Sequence, residues 1–126
     1  MKRLIAAAAL VLFIIIICVV SRNTVLASVA SAKNSIEECE KLFNGGDYRA
    51  AELAATGFKD KWESQSVTLT LFSNHCRTDD INMLAAALPD AAASKNKYEF
   101  YSAVSKIKYV LDMIYKENTF ALENLY

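Results

Sequence analysis

The feature that most constrains this chain is a run of seventeen consecutive apolar residues, Leu4–Val20, preceded by Lys2 and Arg3 and followed by Arg22. As a helix, this run would be about 25 Å long, close to the lower limit for crossing a hydrocarbon core of about 30 Å. The flanking basic side chains extend the usable length because their charges reach the headgroups. We therefore predict a transmembrane anchor over residues 1–22, in contact with the lipid bilayer through residues 4–20.

A cleaved signal peptide is the alternative interpretation of the same run. Signal peptides have a shorter apolar core, of about 7 to 15 residues, and a small-residue cleavage site soon after it. Ala30-Ser31-Ala32 has suitable residue types but lies ten to twelve positions past the run, and Val25-Leu26-Ala27 is nearer but fits less well. The length of the run favours retention of the anchor, and secretion after cleavage stays open as the alternative.

The basic residues also predict the orientation of the anchor. Lys2, Arg3 and the terminal amine lie on one side of the apolar run, whereas Arg22 and the more distant Lys33 lie on the other. Because basic residues favour the cytoplasmic side, we expect a cytoplasmic N-terminus. Residues 23–126 would then form an extracytoplasmic domain at the cell membrane.

The rest of the chain has the composition of one helical domain. The 106 residues from Ser21 to Tyr126 are enough for a single core. Without Lys2 and Arg3, the chain has a net charge of about −2, which argues against a nucleic-acid-binding surface. Only three Gly and one Pro are present in the whole chain, and this scarcity favours long helices over many short strands.

Apolar residues recur at steps of three and four in four segments, which is the pattern of helices with one buried face. We predict an all-α protein in which the transmembrane helix continues into an antiparallel four-helix up-and-down bundle. The predicted helices are about 24–43, 47–75, 79–93 and 96–124. The apolar positions are Val25, Val29, Ala32, Ile36, Cys39 and Phe43; Ala51, Ala55, Phe58, Trp62, Leu69, Phe72 and Cys76; Ile81, Leu84 and Leu88; and Phe100, Val104, Ile107, Leu111, Ile114, Ala121 and Leu125.

Turn and capping residues predict where these helices begin and end. Asn44-Gly45-Gly46-Asp47 is the clearest turn, with Asp47 as N-cap of the second helix. Thr78 or Asp79 is the predicted cap of the third helix, and Asn96 with Glu99 resembles a capping box before the fourth. Residues 67–71 alternate as a strand would, but a lone strand would have no pairing partner, so we keep them helical.

A weak internal similarity links the start of the second helix to that of the fourth. Gly46-Asp47-Tyr48-Arg49-Ala50-Ala51 looks like the inter-helix turn of a tetratricopeptide repeat, and Lys97-Tyr98-Glu99-Phe100 is similar about fifty residues later. Such repeats recur every 34 residues and need about three copies for stability. Both requirements fail, so we interpret the similarity as a generic helical hairpin.

Few residues in the domain have the chemistry of a catalytic or metal site. His75 is the only histidine, which argues against a zinc site within one chain, and no nucleophile or phosphate-binding motif is present. We therefore expect no catalytic residues, no metal and no cofactor. Cys39 and Cys76 could form a disulfide only if the second helix folded back, so buried free thiols are favoured.

The last helix is rich in charged and aromatic residues. Lys108, Asp112 and Lys116 follow one another at intervals of four, which predicts ion pairs along the helix on a solvated face. Five tyrosines lie between Tyr98 and Tyr126. A face rich in aromatic residues is a candidate docking surface, although packing in the core is the commoner use of such residues.

Three features carry a resemblance to a known family: Trp62, the His75–Ile81 junction with Asp79-Asp80, and the closing Leu122-Glu123-Asn124-Leu125. In these features the chain resembles the uncharacterised single-span helical membrane proteins of Gram-positive bacteria, grouped as domain of unknown function forty-three sixty-three. The resemblance implies no known activity, only a single-span protein that works beside other membrane proteins. It also implies a structural or docking cluster, consisting of Trp62, His75, Asp79, Asp80 and Asn124.

These observations together predict the functional class of the chain. We expect a membrane-anchored, extracytoplasmic helical module of the cell envelope that acts through interaction with a membrane-protein partner, rather than an enzyme. A small-ligand or cofactor-binding helical bundle, secreted or anchored, is the alternative. The sequence does not determine the oligomeric state.

Overall fold

A computed structural model describes residues 1–72 and 75–123, with the side chains of 68, 70–72, 75, 76 and 118–123 left aside. The described residues form four α-helices and no strand. The helices are α1 (Lys2–Asn44), α2 (Tyr48–Phe72), α3 (His75–Ala93) and α4 (Lys97–Glu123). The predicted all-α class is therefore confirmed.

The four helices pack in a ring. Each of α2 and α3 packs against the helices before and after it in the chain, and α4 closes the ring by packing against α1. Because the connections between successive helices are short, neighbours run in opposite directions. This arrangement is the antiparallel up-and-down four-helix bundle that the sequence predicts.

The core of the bundle contains the apolar positions that recur at steps of three and four. In α1 the buried residues are the same six that the sequence pattern predicts, from Val25 to Phe43. The corresponding residues of α4, from Phe100 to Ile114, are also buried. On the α3 side of the core, Ile81 and Leu88 are fully buried together with three small side chains, Ala85, Ala91 and Ala92.

Residues 67–71, which alternate like a strand in the sequence, belong to α2. The buried face of α2 continues into this segment because Ser66 takes the polar step on that face and is only 7% exposed. The Ser66 hydroxyl donates a hydrogen bond of 2.9 Å to the carbonyl oxygen of Glu63, which satisfies it inside its own helix. Leu69 then returns to the core.

The turns after α1 and α3 have the same geometry. In the first, Gly46 has a φ of 84°, and the amides of Gly46 and Asp47 donate to the carbonyls of Phe43 and Leu42. In the second, Lys95 takes the place of the glycine with a φ of 58°. Both turns are Schellman motifs, and each is followed by a residue that caps the next helix.

The predicted caps of α2 and α4 are confirmed. The Asp47 carboxylate accepts a hydrogen bond of 3.2 Å from the amide of Ala50. The side-chain oxygen of Asn96 accepts one of the same length from the amide of Glu99. Each cap satisfies an amide that has no partner within its own helix.

The predicted boundary between the second and third helices is wrong. Helix α2 ends at Phe72 and α3 begins at His75, so α3 starts before the predicted cap residues, Thr78 and Asp79. Thr78 is fully buried inside α3 instead of capping it. Pro89 also lies within α3, and the helix continues through it to Ala93.

Helix α1 has two halves with opposite burial. Residues 1–20 are all exposed, and burial begins in the next turn, at Val25. By length and composition, α1 is one helix that is apolar enough to cross a membrane, and an N-terminal signal sequence would satisfy the same criterion. The 43 residues of α1 form one helix of roughly 65 Å that joins the exposed apolar segment to the core.

Candidate functional site

Trp62, the first member of the predicted cluster, lies in the core. It is 1% exposed and belongs to the buried face of α2. Its ring lies nearly parallel to that of Phe58, with centroids 6.4 Å apart and an interplanar angle of 15°. Among the described residues its indole Nε1 has no hydrogen-bond acceptor. Trp62 thus contributes apolar packing, and its buried N–H group is unsatisfied.

The other members of the cluster do not share this location. Asp79 and Asp80 are exposed in the first turns of α3, and Asp80 lines a surface groove. His75 is the first residue of α3, but its side chain is outside the described set, and Asn124 lies beyond the described residues. Trp62 therefore faces the core while both aspartates face solvent, and a cluster that includes His75 and Asn124 stays a prediction.

A surface groove lies between α3 and α4. Its volume is about 460 Å³. Met83 and Tyr109 line it and are 74% and 67% exposed. We call this surface the α3/α4 groove, and its lining residues are Asp80, Met83, Leu84, Ser105, Lys106, Tyr109 and Val110.

The groove continues along α4 toward the start of that helix. An adjoining depression is lined by residues that include Tyr98, Ser102 and Ser105, and Ser105 lines both surfaces. Tyr98 is 83% exposed. The tyrosines of α4 are predicted docking candidates. Met83 and Ser105 are not among the predicted residues, although their outward positions follow from the periodicity of α3 and α4.

Tyr101 differs from the other described tyrosines of α4 because it packs toward α1. Its ring contacts the Phe43 ring in an edge-on geometry at 5.5 Å. Its hydroxyl donates a hydrogen bond to the side-chain oxygen of Asn44. Tyr98, Tyr109 and Tyr115 are the exposed tyrosines outside this contact.

Three charged side chains of α4, Lys108, Asp112 and Glu117, bind neighbouring helices rather than one another. Lys108 pairs with Glu40 at 2.6 Å, and Asp112 pairs with Lys33 at 3.2 Å, so both reach α1. The predicted pairs along α4 are therefore wrong for Lys108 and Asp112. An ion pair of 3.2 Å between Arg77 of α3 and Glu117 fixes α4 on its other side.

Cys39 is a buried free thiol. Its Sγ lies 3.3 Å from the carbonyl oxygen of Ala51 and donates a hydrogen bond to it. Burial raises the pKa of the Cys39 thiol to about 11, and the neighbouring carboxylates of Glu38 and Glu40 act in the same direction. The thiol is thus protonated and unreactive at neutral pH. The side chain of Cys76, the proposed disulfide partner, is outside the described set.

Metal binding has no support in the part of the chain that the structure describes. Within these residues, no three His, Cys, Asp or Glu side chains lie close enough together to hold a metal ion. The described surface pockets are lined by carboxylates, lysines, serines and tyrosines, together with apolar side chains. These side chains are suited to contact with another macromolecule or a small polar molecule.

Comparison with known proteins identifies the domain. Residues 19–125 match the profile of a domain of unknown function (DUF4363). The chain belongs to the DUF4363 family. The DUF4363 match starts at the end of the apolar run and includes the bundle, so the shared unit is the helical domain. No curated protein and no solved structure matches the chain.

Proposed function

We propose that this chain is a membrane-anchored, extracytoplasmic helical module of the cell envelope that acts by contact with a membrane-protein partner. The observation that carries the proposal is the continuity of α1. A fully exposed apolar segment and the core of a bundle belong to one unbroken helix. The resemblance described above adds Gram-positive bacteria as the expected source of the envelope.

The exposed half of α1 supports insertion in lipid on physical grounds. Seventeen apolar residues in water would be costly, at roughly 1.5 to 3 kcal/mol for each large aliphatic side chain. At the end of this segment, the hydroxyls of Ser21 and Thr24 donate to the carbonyl oxygens of Ile17 and Val20, at 2.7 and 2.8 Å. These bonds satisfy both hydroxyls within the helix, as is common for such residues near a bilayer.

The surface of the bundle supports an interaction role. Exposed Met83 and Tyr109 form an apolar surface between α3 and α4. Methionine and tyrosine are both enriched at protein interfaces. We therefore infer that partner binding uses the side of the bundle formed by α3 and α4.

A small-ligand function is the second candidate, and the volume of the α3/α4 groove favours it. At about 460 Å³, the groove lies within the range of small-molecule sites. However, its side chains are largely exposed, whereas such sites bury most of the ligand surface. A purified protein that carries a bound chromophore or small molecule would favour this second function.

The first experiment tests the anchor by intact mass and membrane fractionation of the expressed protein. We expect the mature chain to retain Lys2 and to stay with the membrane through salt and alkaline washes. An Ile14→Arg variant should partly lose this association because a central arginine costs about 2.5 to 3.5 kcal/mol. Leu53→Arg, on the exposed surface of α2, is the matched control and should leave partition unchanged.

A mature chain that begins near Ser28 or Lys33 and is soluble would overturn the anchor. Sidedness is tested separately by placing a cysteine at the exposed Leu53 position in a Cys18→Ser, Cys76→Ser background. A thiol reagent that does not cross membranes should label this cysteine in intact cells. Labelling only after lysis would place the bundle in the cytoplasm and contradict the proposal.

A further inference from the structure

We propose that the partner bound by the α3/α4 side of the bundle is a second copy of this chain, which docks in the α3/α4 groove so that α3 of each copy packs against α4 of the other. This inference rests on the proposed function in one respect, because a shared membrane sets the relative orientation of the two copies. Three features support it: the symmetry that the anchors impose, the heights of the free charges above the membrane, and the apolar residues that lie between those charges.

Two copies anchored in one bilayer with the same topology are related by a two-fold axis along the membrane normal. Helix α1 passes directly from the anchor into the bundle, so this axis runs roughly parallel to the helices. A rotation about such an axis beside the α3/α4 groove preserves the height of every residue above the membrane. It also exchanges the two sides of the groove, which places α3 of one copy against α4 of its partner.

The ion pair between Arg77 and Glu117 gives the relative heights of residues on α3 and α4. Because the two helices are antiparallel, moving away from the membrane raises the residue number on α3 and lowers it on α4. In that direction, Asp80 lies three residues beyond Arg77, and Lys116 lies one residue beyond Glu117. Asp80 and Lys116 are therefore only about 3 Å apart in height. Measured from the same ion pair, Asp90 and Lys106 also differ in height by only about 3 Å.

Asp80 and Lys106 line the groove, and Asp90 and Lys116 lie on the same side of the bundle because each follows a groove residue, Met83 or Tyr109, by seven positions. Asp80, Asp90, Lys106 and Lys116 are all exposed, and within the described part of the chain none takes part in an ion pair. Both aspartates belong to α3 and both lysines to α4. In the two-fold dimer, Asp80 of each copy thus faces Lys116 of the other, and Asp90 faces Lys106. The symmetry makes four such pairs of opposite charge.

The apolar residues lie midway between the two charge levels. Met83 is six residues above Arg77, and Tyr109 is eight above Glu117, so both fall between the lower and the upper pair of charges. They are also the most exposed apolar side chains of the α3/α4 groove. An apolar centre bounded by charged groups is the usual organisation of a specific interface.

Cysteine crosslinking of the full chain in membranes tests the dimer. A Ser105→Cys variant in the Cys18→Ser, Cys76→Ser background places one thiol in the α3/α4 groove, at equal height in both copies. We expect a short bifunctional thiol reagent to yield a covalent dimer with twice the mass of one chain. The same background with Leu53→Cys, which is exposed on α2, should give at least tenfold less dimer.

Charge reversal separates the interface from effects on folding. Lys106→Glu with Lys116→Glu makes both sides of the groove acidic, and Asp80→Lys with Asp90→Lys makes both sides basic. Each reversed chain alone should form about tenfold less crosslinked dimer, since several weak ion pairs become repulsive. When the two reversed chains are coexpressed with tags of different mass, the mixed dimer should return to the level of the unchanged protein.

Several outcomes would overturn the dimer. In the crosslinking experiment, these are equal yields from positions 105 and 53, or crosslinking of Ser105→Cys to a chain of different mass. In the charge-reversal experiment, they are a dimer yield that does not change on reversal, or no recovery of the mixed dimer. Failure of the anchor is detected independently by the mature mass and by membrane partition. Failure of the dimer interface can therefore be distinguished from failure of the anchor.

Discussion

Phe43, next to the end of α1, stacks on Phe100 in the first turn of α4, with ring centroids 3.9 Å apart and planes inclined by 12°. Tyr48 of α2 and Tyr101 of α4 contact the same Phe43 ring edge-on, at 5.1 and 5.5 Å. This aromatic cluster joins three helices at the end of the bundle away from the exposed apolar segment.

The aromatic cluster predicts a large loss of stability when one of its two stacked rings is removed. Phe100 is fully buried, so Phe100→Ala should lower the free energy of unfolding by about 3 to 5 kcal/mol. Tyr98→Ala, two residues earlier and 83% exposed, is the control and should change it by less than about 0.5 kcal/mol. Urea unfolding of the full chain in detergent, followed by far-UV circular dichroism, measures both. If Phe100→Ala lowered the free energy of unfolding no more than Tyr98→Ala does, the stacked rings would contribute little to stability.

Trp62 provides a second test, because its large ring is buried but its N–H group has no acceptor among the described residues. Trp62→Ala should cost about 3 to 5 kcal/mol. Trp62→Phe should cost clearly less, because it keeps a ring in the core and removes the unsatisfied donor. The same urea unfolding measurement applies. A cost below about 1 kcal/mol for Trp62→Ala would indicate that the ring is exposed for binding.

Replacing each of two glycines with alanine is expected to change the stability of the bundle in opposite directions. Gly57 lies within α2 with open space where a Cβ would be added, so Gly57→Ala should stabilise the bundle by about 0.5 to 1 kcal/mol. Gly46 has a φ of 84°, so Gly46→Ala should destabilise it, by about 1 kcal/mol. Thermal unfolding of the two variants in parallel measures the difference. A stabilising Gly46→Ala would contradict the turn geometry.

The buried thiol of Cys39 predicts a pH dependence at the alkaline end. Its pKa is raised from 9.0 to about 11 in the folded chain, so the thiolate is disfavoured there relative to the unfolded chain. The stability contributed by the neutral thiol is fully present below pH 9 and is lost as the pH rises toward 11. Unfolding midpoints between these values should fall more steeply for the unchanged protein than for Cys39→Ala. Parallel curves would contradict this prediction.

Local periodicity was sufficient to predict the core of the bundle. The buried residues of α1 coincide with the predicted set because a helix in a bundle buries one face, and apolar residues at steps of three and four mark that face in the sequence. The caps at Asp47 and Asn96 were equally local, since each depends on one side chain and one nearby amide.

Features decided by tertiary contacts could not be predicted in the same way. Thr78 and Asp79 have the residue types of an N-cap, but packing buries Thr78 inside α3 and moves the helix start to His75. Lys108 and Asp112 have the spacing of a pair along one helix, yet α1 offers each a partner of opposite charge. The α3/α4 groove likewise requires two helices to be placed side by side, which one sequence does not specify.

The unbroken course of α1 joins the exposed apolar segment and the bundle in one continuous helix. From Ser21 to Asn44 the helix has no break at which the two halves could bend independently. With about 36 Å of helix beyond the apolar segment, a change in tilt of roughly 10° within the bilayer would swing the far turn by about 6 Å. In the proposed membrane anchor, helix α1 would act as a lever, which converts changes in membrane thickness or in the contacts of the span into movement of the outer surface of the bundle.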